Sequence, residues 1–306
     1  MIKRVLCVLC AVVFLFSAVK TVTAFANVEE DTKMCNLKIV YSKEGVGFKG
    51  LKIKIHRIAK ALTDATFEKV SPYSSLPVSI DDLTSIKEQK ETAFTFESYV
   101  NAQNLKPYKT LKTNSAGVAN FENIKAGLYL VCSAENDEYS FDSFLVSLPF
   151  YQNEEYCYSM QCQPKSSKKP DIDPKKDFKV VKLWKDNGHK QDRPSSVTIE
   201  ILKNGKVKET VKLSSKNNWV YKFKGTKNAT WSVIERSVPK NYSVRISQTN
   251  ETFSLTNTHK KSEVSIEIDG PKTGDTFPFT FYLVTMCISG LLLIIFGFLI
   301  MRSSKK

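Results

Sequence analysis

Few side chains in this chain of 306 residues are suited to chemistry; seven cysteines and three histidines stand out. Cys35, Cys132, Cys157 and Cys162 fall in one stretch, while Cys7, Cys10 and Cys287 lie near the two ends. Four exported cysteines in one domain can form disulfides among themselves, with the pairing left open by the spacing. Cys157 and Cys162 are spaced like half a metal site, but no histidine and no second close pair accompanies them. The histidines His56, His189 and His259 are scattered. There is no His-x-x-x-His, no Gly-x-Ser-x-Gly and no pair of carboxylates in a helical frame. The expectation is therefore no metal, no cofactor and no turnover enzyme.

The chain ends decide where these residues operate. Lys3 and Arg4 precede the apolar stretch Val5 to Phe16, and Ala24-Phe25-Ala26 is a small-x-small cleavage site. Residues 1–26 read as a secretory signal peptide. At the other end, Phe279 to Met301 is mostly apolar and is followed by Arg302, Lys305 and Lys306. As a helix this run reaches roughly 34 Å, enough for a bilayer core, with a basic cytoplasmic tail. Residues 279–301 are thus expected as a transmembrane helix, 302–306 as its tail and 261–278 as a stalk. Everything between the two ends is extracytoplasmic, with room for two domains.

The formal charge of +14 includes basic residues of the flanking segments and overstates the basicity of the exported part. A lysine-rich surface suits anionic wall polymers or a solvated exterior. Aromatic residues are not interleaved with the basic ones, so nucleic acid is not an expected partner.

Alternation dominates the body of the chain. Asn36 to Ser42 and Leu51 to Ile58 alternate polar and apolar residues, with Gly45-Val46-Gly47 as a turn between them. From Ser79 to about Asn101 the pattern becomes helical; Ser79 is the expected cap, Leu83 and Ile86 follow, and Phe94, Phe96 and Val100 hold a second turn. Strands resume after the turn Asn114 to Gly117 at 118–121, 127–131, 144–148 and 156–163. Residues 28–165 are therefore expected as a β-sandwich with one helical insertion. Ser166 to Lys176 is rich in Ser, Lys, Pro and Asp and reads as an extended linker, 166–177. Residues 178–260 form a second set of short strands, with Asn204-Gly205 as a two-residue hairpin turn.

Three resemblances sharpen this reading. Asn114 to Phe121, Ala126 to Val131, Phe144 to Pro149 and Gln163-Pro164-Lys165 resemble, in order, segments of pilin N-terminal domains. In some pilins the closing lysine is the amine that joins subunits, which makes Lys165 a candidate, although Gln163 and Ser166 depart from that pattern. The second resemblance covers Phe178 to His259. Lys182-Leu-Trp184-Lys-Asp186, Arg193-Pro194, Asn218-Trp219, Trp231 to Glu235 and Thr256-Asn257-Thr258 resemble the B-type repeat of collagen-binding adhesins, with Trp231 in place of a tyrosine. That family joins a first-strand lysine to a last-strand asparagine with help from a buried acid. Carried over by motif position, these are Lys182, Asn257 and Glu235. Alternation supports the choice of lysine, since Lys182 shares a strand face with Val180 and Trp184 while Lys179 lies on the other. The first domain has no Asn or Asp on its last strand to accept a lysine, and a disulfide between its first and last strands, through Cys35, is the expected substitute.

The third resemblance is at the C-terminus. Pro271-Lys272-Thr273-Gly274 before the apolar run is similar to a Gram-positive sorting signal, with Gly270 where leucine is usual. It implies cleavage by a sortase after Thr273 and transfer of that residue to an amine of peptidoglycan or of another pilin subunit. The expected architecture is all-β: two Ig-like, Greek-key sandwiches in tandem plus one C-terminal transmembrane helix. The expected function is a wall-anchored cell-surface pilus subunit or pilus-like adhesin, with a host extracellular-matrix ligand as a further partner. A eukaryotic-type single-pass receptor is the alternative, favoured by Asn-x-Ser/Thr triplets at Asn228, Asn241 and Asn250.

Overall fold

The alternation in Met34–Val40 (β1) buries Cys35, Leu37 and Ile39 and turns Asn36 and Lys38 outward. Lys52–Ala61 (β2) does the same with Ile53 and Ile55 before a bulge between Arg57 and Ala59 shifts its register. These strands belong to a computed structural model that describes residues 33–260 apart from 63–65, 82, 137, 153–154, 170–174 and 227–228. The expected signal peptide, sorting signal and membrane-spanning run 279–301 lie outside the described residues. Among those described, no helix is long and apolar enough to cross a membrane. They form a predominantly β structure with a single α-helix.

Ile86–Ala102 (α1) separates β2 from the remaining strands of the first half. Those include Lys109–Lys112 (β3), Val118–Lys125 (β4), Gly127–Val131 (β5), Phe144–Leu148 (β6) and Ser159–Cys162 (β7). One sheet has the order β7-β1-β4, and another runs β6-β5-β2, extended by Phe67–Lys69, with β3 also on β2. Their inner faces share a core that includes Leu37, Ile39, Ile53, Ile55, Phe121, Tyr129 and Val146.

The second half contains Lys175–Lys185 (β8), Ser196–Lys203 (β9), Lys206–Ser214 (β10), Val220–Thr226 (β11), Trp231–Glu235 (β12), Tyr242–Thr249 (β13) and Thr252–His259 (β14). A four-stranded sheet, β11-β8-β14-β13, faces a three-stranded one, β10-β9-β12. Asn204 and Gly205 take φ of 52° and 76° and close the β9–β10 hairpin as the sequence predicts. In both halves the first strand pairs in parallel with the last, β1 with β7 and β8 with β14. Parallel pairing of the first and last strands places the entering and leaving chain at opposite ends. Tension along it loads the ladder in shear, many hydrogen bonds at once.

Two local readings differ from the sequence expectation. The helix starts at Ser85, not Ser79. Ser85 and Glu88 form a reciprocal capping box, with Glu88 N donating to Ser85 Oγ at 3.1 Å and Ser85 N to Glu88 Oε2 at 3.0 Å. Ser79 instead closes a local turn, accepting from Asp81 N at 3.1 Å. The stretch 166–177 also carries more order than a linker needs. Ser166–Lys168 pairs with Tyr139–Phe141, and β8 already begins at Lys175. Pairing of this kind uses backbone groups and leaves no apolar signature in the side chains.

α1 packs on both halves. Its Glu97 carboxylate accepts from Ser133 N at 2.8 Å and from Ser133 Oγ at 2.7 Å, on the first-half side. On the other side Ile246 N donates to Thr95 Oγ1 at 2.8 Å, and Phe94 stacks on Phe253 with ring centroids 6.4 Å apart. Tyr99 OH donates to the Glu235 carbonyl at 2.8 Å. Val244 N also donates to Pro77 O at 2.8 Å. One hydrophobic core runs from Ile58 and Leu130 through Phe96 and Tyr99 to Ile201, Val233 and Leu255.

Candidate functional site: a buried lysine, acid and carboxamide

Three elements converge in the core of the second half. In β8, Phe178, Val180 and Lys182 are buried in alternation. Their inward face continues across the parallel partner β14, where Lys182 lies opposite Leu255 and Trp184 opposite Asn257. Glu235 is the last residue of β12 in the facing sheet. Lys182 is 3% exposed, and Glu235 and Asn257 are 0% exposed.

Lys182 Nζ donates to Leu183 O at 2.9 Å and to Leu255 O at 3.3 Å, and sits 3.7 Å from Glu235 Oε2. Asn257 Nδ2 donates to Glu235 Oε1 at 3.1 Å. The other two oxygens, Glu235 Oε2 and Asn257 Oδ1, are buried with no hydrogen-bond partner. An unsatisfied buried polar atom costs about 1–3 kcal/mol. A proton on Glu235 Oε2 supplies the donor that Asn257 Oδ1 lacks, converting two orphan acceptors into one bond.

The electrostatics favour that protonation state. Burial lowers the Lys182 amine from its usual 10.5 to about 7, with Glu235 opposing the shift. Burial likewise pushes the Glu235 carboxyl up, against the pull of Lys182 and Asn257. A neutral amine is nucleophilic, and a neutral acid can polarise a carboxamide. The arrangement has the parts for amide exchange between Lys182 and Asn257.

A lid of aromatic and charged groups closes the site. The Trp184 ring centroid is 4.1 Å from Lys182 Nζ, and Trp219 and Tyr242 meet Trp184 edge-on at 5.4 and 5.3 Å. Arg193 Nε donates to Asp186 Oδ1 at 2.8 Å, and its guanidinium carbon lies 5.4 Å from the Trp184 ring centroid. That guanidinium holds the Asp186 carboxyl below the usual carboxylate range. Tyr242 OH donates to the same Asp186 oxygen at 3.2 Å. The spacing of Lys182, Trp184, Asp186 and Arg193 in the sequence thus becomes one contact cluster.

The remaining predicted residues lie elsewhere. Lys179 is half-buried on the other face of β8. Lys165 is exposed, between β7 and Ser166–Lys168. Cys132, Cys157 and Cys162 are thiols, and none of them bonds Cys35. The register gives the reason. Cys162 lies opposite Ile39, on the same face as Cys35 but four residues along β1, about 13 Å away and beyond disulfide reach. Cys157 precedes β7 in the strand Glu155–Cys157, whose partner is Phe150–Gln152 rather than β1. Burial raises the Cys132 thiol well above its ordinary value and keeps it protonated. Sequence reasoning missed the contact of α1 with this site, through Tyr99 and the Glu235 carbonyl.

Residues 178–258 match the family model of the Cna protein B-type domain. Among solved structures, the chain is similar to a single B repeat of the collagen-binding surface protein of Staphylococcus aureus, at 14% identity and a TM-score of 0.27, covering 75% of this chain and 99% of that one. It is also similar to the shaft pilin SpaA of Lactobacillus rhamnosus GG, at 11% identity and a TM-score of 0.24, covering 75% and 99%. The major pilin SpaD of Corynebacterium diphtheriae aligns at 14% identity and a TM-score of 0.30, with 75% of this chain covered and 65% of that pilin spanned. Comparison with curated protein sequences gives no match.

Proposed function

We propose that this chain is a cell-surface structural or adhesive protein, a pilus subunit or pilus-like adhesin, braced by an isopeptide bond between Lys182 and Asn257. The observation that carries the proposal is the buried set Lys182, Glu235 and Asn257 across the first strand, last strand and facing sheet. Lys182 Nζ attacks Asn257 Cγ, the Cγ–Nδ2 bond breaks, and Nδ2 leaves as ammonia. Glu235 protonates the leaving nitrogen and recovers a proton from the attacking amine, so it ends unchanged. Each chain reacts once with itself, which is maturation and not turnover.

The reaction needs one proton shared by the Lys182–Glu235 pair. A second proton makes the lysine an ammonium, and loss of the shared proton removes the acid. Bond formation in freshly refolded chain, followed by intact mass, is therefore expected to peak near neutral pH. On the acid side it should slow by about tenfold per pH unit. A rate that does not change across that limb contradicts this mechanism.

The Pro271 to Gly274 signal and the apolar run after it support export, sortase cleavage after Thr273 and attachment at the cell wall. Exposed Lys165 is the candidate amine for joining a second subunit. A blot of wall extracts from cells with and without sortase tests this part. A high-mass ladder that collapses without sortase is expected of a pilus subunit, and a single sortase-dependent band of a monomeric adhesin. A band unchanged by loss of sortase overturns the processing proposal.

A further inference from the structure

We propose that His189, Asp192 and His259 form a binding site for a divalent transition metal, with zinc(II) the best match to their chemistry. Two of the three histidines, distant in sequence, are brought together by the parallel pairing of β8 and β14. His189 and Asp192 sit in the loop after β8, Asp192 closing the short 3-10 turn Lys190–Asp192. His259 is the last residue of β14. One ligand atom from each lies within 4.8 Å of the other two.

The hydrogen bonds of His259 carry the argument. Its Nδ1 is 2.8 Å from the Lys260 carbonyl oxygen, which can only accept, so Nδ1 bears the hydrogen. Its Nε2 is 3.0 Å from Asp192 Oδ2. In the neutral ring Nε2 is a lone pair aimed at a carboxylate, and two acceptors at that distance repel unless a proton or a metal ion joins them. A ring nitrogen held by an N–H bond to a backbone carbonyl, with the other nitrogen free to coordinate, is the usual arrangement of a metal-ligating histidine. Asn187 Nδ2 donates to His259 O at 3.1 Å, and Tyr242 packs edge-on against the ring at 5.0 Å, so His259 is fixed from behind.

His189 needs adjustment. Its ring stacks on His259 at 4.1 Å and 5°, whereas a metal must lie near the plane of each ligating ring. His189 is half-exposed on a loop, and rotation about its side-chain bonds turns a nitrogen toward the Asp192–His259 pair. Zinc bonds of about 2.0–2.2 Å then require the cluster to close slightly. Two imidazoles, one carboxylate and a water complete a tetrahedral set. The ion would tie the loop after the first strand to the end of the last, two residues beyond Asn257, across the same seam as Lys182.

The test is a titration of the full chain, free of any affinity tag, with zinc chloride, read by calorimetry and by thermal unfolding. One equivalent is expected to bind with micromolar affinity and to raise the unfolding temperature. Loss of even an outer-shell partner costs about 10–100-fold in metal affinity, so His189→Ala and Asp192→Asn should each weaken binding by about tenfold or more. Both change half-buried or exposed loop positions, and the folded state of each is checked by its unfolding transition without zinc. Absence of zinc binding by the unmodified chain overturns the site and leaves a histidine–aspartate ion pair. Binding of undiminished strength in both variants also overturns it.

Discussion

A Lys182→Ala chain is expected to unfold roughly 10–20 °C below the unmodified protein. The proposed bond between Lys182 and Asn257 would close the loop that contains every strand of the second half after β8. Treated as a disulfide of that loop length, it removes chain entropy worth roughly 4–5 kcal/mol. In the Lys182→Ala chain Glu235 keeps its hydrogen bond from Asn257 and can hold a proton, so loss of the amine leaves no forced charge. Asn257→Ala is the companion variant, because it loses the same bond by removing the other partner. Similar falls in the two unfolding temperatures identify the covalent bond as the cause. A fall of only a few degrees in both, with folded-state mass unchanged by either beyond the substitution, rules the bond out.

Glu235→Ala is expected to be the least stable of the set. It stops the reaction and also leaves buried Asn257 Nδ2 without its acceptor, and an unsatisfied buried polar group costs about 1–3 kcal/mol more. Glu235→Gln separates the two effects. A glutamine can accept from Asn257 Nδ2 through its oxygen and fill the same volume, but it has no acidic proton to give. It is expected to fold, to retain the full mass, and to unfold close to Lys182→Ala. The order is read by thermal unfolding, with intact mass run on the same samples. Bond formation in Glu235→Gln at the unmodified rate would mean that the acid has no part in the chemistry.

Much of the fold is written in alternation. The inward positions of β1, β2 and β8 follow directly from the period of two, and the choice of Lys182 over Lys179 rests on the same parity. The hairpin at Asn204-Gly205 needs left-handed backbone at both residues, and those two types supply it. Other features leave weaker marks. Thr92, Thr95 and Ser98 are polar yet all are buried, because α1 is covered from both sides. The Thr95 and Ser98 hydroxyls find backbone partners, Ile246 and Phe94, and such partners cannot be seen in a one-dimensional pattern. The strand Ser166–Lys168 pairs through its backbone alone. The contact between His189 and His259 depends on the parallel register of β8 and β14, which no local pattern encodes. The expected pairing of Cys35 with the last strand follows from strand order, but side-chain reach depends on register as well.

The contact between α1 and β12 gives the proposed reaction centre a second support. Tyr99 holds the Glu235 backbone from outside the residues that match the Cna B-type model. The first half of the chain therefore contributes to the placement of the acid as well as to the shared core.

The most direct measurement is the intact mass of the purified chain, followed by digestion and sequencing of the peptide that contains Lys182. The account predicts a mass lower by one ammonia than the sequence requires, and a branched peptide in which Lys182 is joined to Asn257. A full-mass chain that yields separate, unmodified Lys182 and Asn257 peptides would contradict it.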